Sequence, residues 1–349
     1  MIVWLIILCI ISLIGVKFSR FNDNYLSKDS TNAIKGVFAV IILFSHMKGY
    51  IQLSSEFYDV AYAKVLSFIG QMMVAPFLFY SGYGIMESIK RNPNYHHKFL
   101  SHRVLKTLIH FDLAVLLFII VQTPLGKVYP AYKYLTCWFA WESIGNSNWF
   151  VFDILALYVI AYFGMIVKQC WHGNNQRFMF LWGGVTVLFG TGLLFVFLFF
   201  AKRGQSWWVD TLFTFPLGLL YSRYKSIIDD KMHNTTIYWT SLIVLLTVFV
   251  VWHHRFGVDV LGVSSVLFTL ILVILTMKIE LGNNILAWLG TNAFAIYILQ
   301  RLPMNVLKIF ELNNNTVLFS VFCVAVVLII AWSFTKLLKI LDNFLFASK

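Results

Sequence analysis

Charged side chains are scarce in this sequence. Asp, Glu, Lys and Arg make up 12% of its 349 residues, against about 25% in soluble globular proteins. That shortage excludes a water-soluble globule. Local signatures of common enzyme classes are also missing: there is no GxSxG elbow, HExxH pair, P-loop or dinucleotide glycine fingerprint. The four cysteines, Cys9, Cys137, Cys170 and Cys323, form no CxxC pair and show no metal-ligand spacing, so they take no role. His96, His97, His102 and His110 likewise lack a carboxylate or Cys at ligand spacing, and no metal is expected. The first residues have neither a basic leader nor a small-residue cleavage site, so Ile2 to Val16 reads as a retained, short first helix. No polar stretch is long enough for a separate soluble domain, and no period of 20–50 residues suggests a solenoid.

What the chain does have is apolar runs. Hydrophobic residues reach 60% and the mean hydropathy is +0.78. Several runs approach the ~20 residues that a bilayer-spanning helix needs. They are too long and uniform for alternating barrel strands. The expected fold is all-α, a polytopic membrane helical bundle of about eleven transmembrane helices filling one domain. The runs fall near 2–16, 34–52, 64–86, 106–124, 148–167, 178–200, 207–222, 237–252, 258–277, 285–302 and 316–335.

The net charge of +12 raises the question of nucleic acid. The basic residues lie in short loops between apolar runs, where they set topology, and no nucleic-acid partner is expected. With the first helix starting outside, eighteen of the 27 Lys and Arg fall on the inner side and nine on the outer. A two-to-one excess predicts a multi-pass protein of the cell membrane, its N-terminus outside and its C-terminus cytoplasmic.

Asn32 to Ile51, NAIKGVFAVIILFSHMKGYI, is the stretch around which the chain is organised. Lys35 and His46 are eleven residues apart, about 16 Å of helix rise and roughly three turns, so they share a face. Lys35 would sit at the cytoplasmic surface and His46 well inside the bilayer. A histidine at that depth is costly and points to function. It also reads as a cap for a neighbouring helix or as part of a packed polar seam.

Other polar residues border the apolar runs. Arg103 and Lys106 are three apart at the start of one of them, where a paired cationic site suits phosphates. Asp153 lies about 8 Å below the outer surface by helix rise, and His46 about 9 Å. A carboxylate at that depth either orients the imidazole or sits hydrated at the interface. Glu142, with Trp138, Trp141 and Trp149, faces outside, where it reads as an acceptor-sugar contact or as part of an aromatic belt. In Phe77 to Gly84, FLFYSGYG, the glycines permit close helix approach and Ser81 can bond across an interface. Pro76 is expected to kink the helix ahead of it.

These pieces together resemble the membrane-integral acyltransferase-3 proteins, which O-acetylate surface polysaccharides. The family's basic residue placed before a histidine in one helix looks like Lys35 and His46. Its RxxR motif is similar to Arg103-Val-Leu-Lys106, with Lys in the second place. Its FFFLSGYG-like segment resembles Phe77 to Gly84. Further echoes are NWFVFDILALY from Asn148, FPLGLLY from Phe215 and LGTNAFAIYIL from Leu289. Residues 1–31 are an added helix and connection before a core of 32–341, and Gln300 stands where the family often has a histidine.

The resemblance implies acetyl-CoA bound from the cytoplasm, with Lys35, Arg103 and Lys106 at its phosphates and Ser81 and Tyr83 beside it. It also implies a glycan acceptor entering from outside, near Glu142 and Trp149. His46 would be general base or acyl carrier, with Asp153 as its partner. The same intramembrane polar residues also fit a non-enzyme, an exporter or flippase of a polysaccharide or lipid-linked sugar. A glycan polymerase is a weaker third reading.

Overall fold

The computed structural model describes residues 1–92, 94–170, 176–256 and 261–346. Lys168, Cys170, Arg177 and Lys349 lie outside the described side chains, as does the start of the run expected from 258. The fold is almost entirely helical, as the apolar composition requires. Among the described residues, seven helices are long and apolar enough to cross a membrane, or eight if one bent pair is a single span, and two shorter apolar helices add to these. That is fewer than the eleven crossings expected, for three local reasons.

The first is length. Helix α1 (Ile2–Leu13) has 12 residues, about 18 Å of rise against a hydrocarbon core of about 30 Å. It is followed by β1 (Val16–Phe18), which pairs antiparallel with β2 (Ile279–Leu281). The second is breaks inside apolar runs. The run at 64–86 is divided between α3 (Phe57–Ile69) and α4 (Ala75–Arg91), because Gly70 takes a positive φ of 46° between them. Pro76 therefore sits in the first turn of α4, where its missing N–H costs nothing, instead of kinking a continuous helix. The run at 285–302 becomes α12 (Asn284–Thr291), α13 (Ala293–Leu299) and α14 (Arg301–Ile309), bent by 59° at Asn292. The third is displacement. The run at 207–222 is largely turns before α9 (Thr214–Met232), which carries too many charges to count as a span by composition.

The remaining helices are α2 (Lys28–Met47), α5 (Lys106–Gln122), α6 (Ala131–Thr136), α7 (Trp149–Cys170), α8 (Gln176–Ala201), α10 (Thr235–Phe256), α11 (Leu261–Thr276) and α15 (Thr316–Phe346). A wide π turn over Leu100–Leu105 leads directly into α5, so Arg103 and Lys106 both lie on helical backbone.

Two helix pairs fix the frame around the site. On α2, a Cβ at Gly36 would collide with the Leu286 carbonyl of α12, and one at Gly290 of α12 with the Asn32 carbonyl. On α4, a Cβ at Gly82 would strike the Phe215 carbonyl of α9, and one at Gly218 the Phe79 carbonyl. In a membrane, where hydrophobic burial does not drive helices together, such backbone approach lets dispersion hold them. Ser27 caps α2 by accepting from the Ser30 N–H, and Asn283 caps α12 by accepting from Ile285 and Leu286. The Met1 amine meets Asp59 of α3 at 2.9 Å, beyond the His46 end of α2. At the other end, Tyr25 donates to Asp229 of α9 and lies against Tyr221.

Candidate active site

His46 lies one residue before the C-terminal end of α2. The bend between α12 and α13 brings Arg301 of α14 against it. The guanidinium donates to His46 Nδ1 from Nη2 at 2.9 Å and from Nε at 3.3 Å. An arginine is never an acceptor, so the Nδ1 lone pair faces the guanidinium and a neutral ring carries its hydrogen on Nε2. Tyr297, one turn before Arg301, sets its ring 6.5 Å from the imidazole.

A cavity of about 670 Å³ opens in front of this pair. Its polar lining includes His46, Lys48, Glu142, Asn148, Lys202 and Arg301, and Trp141, Trp149, Trp207 and Trp208 contribute aromatic surface. Glu142 accepts from Lys202 at 3.0 Å and is 4.0 Å from Lys133. Lys202 is only 8% exposed; it also donates to the Trp141 carbonyl at 2.9 Å and lies over the Trp141 and Trp208 rings. Glu142 and Trp149 therefore line the same cavity as His46.

A second cavity of about 200 Å³ continues along α2 toward Lys35. Phe77, Phe150, Phe294 and Gly290 line it, and Ile42, Val74 and Tyr297 line both cavities. The two spaces adjoin, with Lys35 in one and His46 in the other. Lys35 donates to Thr31 Oγ1 at 3.3 Å and its Nζ lies 5.4 Å from the Tyr80 ring centroid. Apolar and aromatic side chains dominate this space, and Lys35 is the charged residue among those lining it.

The other expected site residues do not all converge. Asp153 is fully buried and neither carboxylate oxygen has a hydrogen-bond partner among the described residues. It does not orient His46: Arg301 occupies Nδ1 instead, and Asp153 lines neither cavity. Equal depth suggested the pairing, but no hydrogen bond joins the two side chains. Arg103 and Lys106 also part company, because the π turn rotates one relative to the other. Arg103 donates to Tyr95 at 3.0 Å and lies beside Tyr158, whereas Lys106 pairs with Asp342 of α15 at 2.8 Å. They form no joint phosphate site in this arrangement. Ser81 bonds Tyr158 at 2.8 Å and so joins Arg103 through that ring. Tyr83 lies near Glu87, Arg91 and Asp229, away from both cavities.

Sequence reasoning passed over Arg301, Lys202, Tyr158 and Tyr297. Arg301 and Lys202 looked like ordinary outer charge. The one local hint was position: Arg301 directly ends the apolar AFAIYILQ run and Lys202 the FVFLFFA run, so each can turn back into the bundle.

Comparison with known families decides the class. A family described as an acyltransferase domain matches residues 28–336, from the start of α2 into α15. The chain belongs to the acyltransferase-3 family. No curated protein and no solved structure matches the acyltransferase. The match begins at Lys28, so α1 lies outside it. The resembling segments acquire a physical role here. The glycines of KG, SGYG, FPLG and LGTN include the four that bring α2 onto α12 and α4 onto α9. As a membrane-embedded acyltransferase, the protein needs an acyl donor, an acceptor and a group that moves a proton between them. Among the described residues no three His, Cys, Asp or Glu side chains gather at one point.

Proposed function

We propose that this protein is a membrane O-acetyltransferase that moves an acetyl group from cytoplasmic acetyl-CoA to a hydroxyl of an extracytoplasmic or exported polysaccharide. One observation carries the reading: two adjoining cavities run along α2, with Lys35 in one and His46 with Arg301 in the other. A donor and an acceptor arriving from opposite membrane faces need such a meeting point. The Lys35 end is taken as cytoplasmic because Lys and Arg concentrate on that side of the sequence.

In this reading the inner cavity holds the thioester arm and Lys35 meets a phosphate. The acceptor hydroxyl takes the place at His46 Nδ1 that Arg301 fills here. Nδ1 accepts the hydroxyl proton as the oxygen attacks the thioester carbonyl. Arg301, released from the ring, turns to the carbonyl oxygen and stabilises its developing negative charge. When the carbon–sulfur bond breaks, His46 returns the proton to the leaving sulfur, giving an ester and a free thiol. Alternatively, Nδ1 attacks the carbonyl and carries the acetyl group before passing it to the hydroxyl.

The test is acetyl content of the glycan in a deletion strain complemented with wild type or His46→Ala. His46→Ala is expected to abolish acetylation while the amount of exported glycan stays the same. A fall in exported glycan with unchanged acetylation per sugar would instead favour a translocation path through the outer cavity.

A further inference from the structure

The outer cavity carries more positive charge than its own acid can balance. Lys48, Lys202 and Arg301 line it, and Glu142 is the acid among its lining residues. Glu142 already has Lys202 at 3.0 Å, with Lys133 at 4.0 Å on its other oxygen. Lys48 and Arg301 have neutral partners instead. Lys48 donates to Ser67 Oγ at 2.7 Å and approaches the Ala63 carbonyl at 3.5 Å, and Arg301 donates to the imidazole. Among the described residues neither has a carboxylate within ion-pair distance. Of the nearby acids, Asp59 is committed to the Met1 amine, and Asp153 does not reach the cavity.

Two cations without an acid partner in a concave space focus a positive potential on whatever enters. A neutral glycan would leave that potential unanswered, whereas an anionic one supplies the missing counter-charge. The tryptophans add flat apolar faces of the kind sugar rings lie against. Lys48 and His46 line the same cavity, so an anion held at Lys48 shares that space with the acceptor hydroxyl.

We propose that the acceptor is an anionic saccharide, with a carboxylate or phosphate on or next to the acetylated residue meeting Lys48. This rests on the acyltransferase reading for the cavity's purpose, though the binding itself does not depend on catalysis.

The experiment is a tryptophan-fluorescence titration of the full-length protein in neutral-lipid nanodiscs. The probes are a hexuronic acid oligosaccharide, the same oligosaccharide with its carboxyls reduced to alcohols, and a phosphodiester-linked sugar oligomer of equal length. At least one anionic probe is expected to bind about tenfold or more tightly than the reduced one. Which of the two binds tighter separates carboxylate from phosphate. The preference should shrink between about 50 and about 500 mM salt. Lys48→Gln should remove most of it and Lys48→Arg should keep it, which separates loss of charge from loss of fold. Equal binding of all three probes, tighter binding of the reduced one, or no binding overturns the proposal. Acetyl-CoA-dependent thermal stabilisation is measured on the same samples. Its absence beside intact anion preference would sink the acyltransferase mechanism and leave the anion site standing.

Discussion

Arg301 donates through two nitrogens to Nδ1 of His46, so the imidazole's lone pair is held by a cation and not steered by a carboxylate. The usual helper of a histidine base accepts the ring hydrogen and raises its basicity. A guanidinium does neither. In the proposed reaction its value lies in the charge it can bring to the thioester carbonyl oxygen. Removing one donor of this kind lowers turnover by about 100-fold or more. Arg301→Ala is expected to show that loss in kcat, with KM for acetyl-CoA changed by less than about threefold. Arg301→Lys should recover part of it, since a charge remains but the fork is lost. Steady-state release of free thiol checks this, and an Arg301→Ala enzyme with near wild-type kcat would rule out the assigned role.

Donor binding separates the three basic residues that the sequence groups together. Lys35 lines the inner cavity, so Lys35→Ala should lose acetyl-CoA-dependent thermal stabilisation. Lys106 is spent on Asp342 at 2.8 Å, and its side chain is 33% exposed. Lys106→Ala should keep the donor response and cost about 1 kcal/mol or less of resting stability. Melting curves with and without acetyl-CoA decide it. A donor response lost in Lys106→Ala and kept in Lys35→Ala would reverse the assignment.

The sequence pattern and the fold agree where periodicity and glycine carry the information. Lys35 and His46 share a face of one helix, and helix rise alone placed them at the two ends of the path. The SGYG glycines announced close helix approach, and Gly82 makes it against Phe215. Pairings between distant elements were not legible in this way. Matching the depths of His46 and Asp153 fixed one coordinate and left rotation about the helix axis free, and the two side chains are not bonded. The three-residue spacing of Arg103 and Lys106 assumed an α-helix where the chain forms a wider π turn. Arg301 reaches His46 only because the chain bends by 59° between α12 and α13, an angle that no hydropathy window encodes. Two apolar runs also hid breaks, since Gly70 and Asn292 interrupt the helix without interrupting hydrophobicity.

The glycine contacts make a separate claim about stability. At Gly36, Gly82, Gly218 and Gly290 a methyl group would meet a neighbouring helix's backbone, which has no rotamer by which to yield. Each Gly→Ala change is expected to cost about 1–3 kcal/mol or more, seen as a lower melting temperature in detergent. A methyl group added at Gly84 on the same α4 would meet nothing within 4 Å, so Gly84→Ala should be neutral or slightly stabilising through helix propensity. Equal melting temperatures for Gly82→Ala and Gly84→Ala would mean the α4–α9 approach is looser than described.

Asp153 offers the sharpest contrast between a site residue and a buried liability. Its side chain is fully enclosed, and both oxygens lack hydrogen-bond partners among the described residues. A carboxyl group held this way costs free energy and gains nothing local in return. To serve His46 it would have to accept the ring hydrogen at Nε2, and neither of its oxygens makes that bond. Asp153→Asn removes the ionisable group at nearly constant shape, and Asp153→Leu removes the polarity as well. Both variants are expected to keep kcat within about threefold of wild type, and Asp153→Leu to melt at the same or a higher temperature. A loss of about 100-fold in kcat for Asp153→Asn, with melting unchanged, would show that the carboxylate enters the reaction through a rearranged α7. It would also restore the pairing with His46 that equal depth suggests.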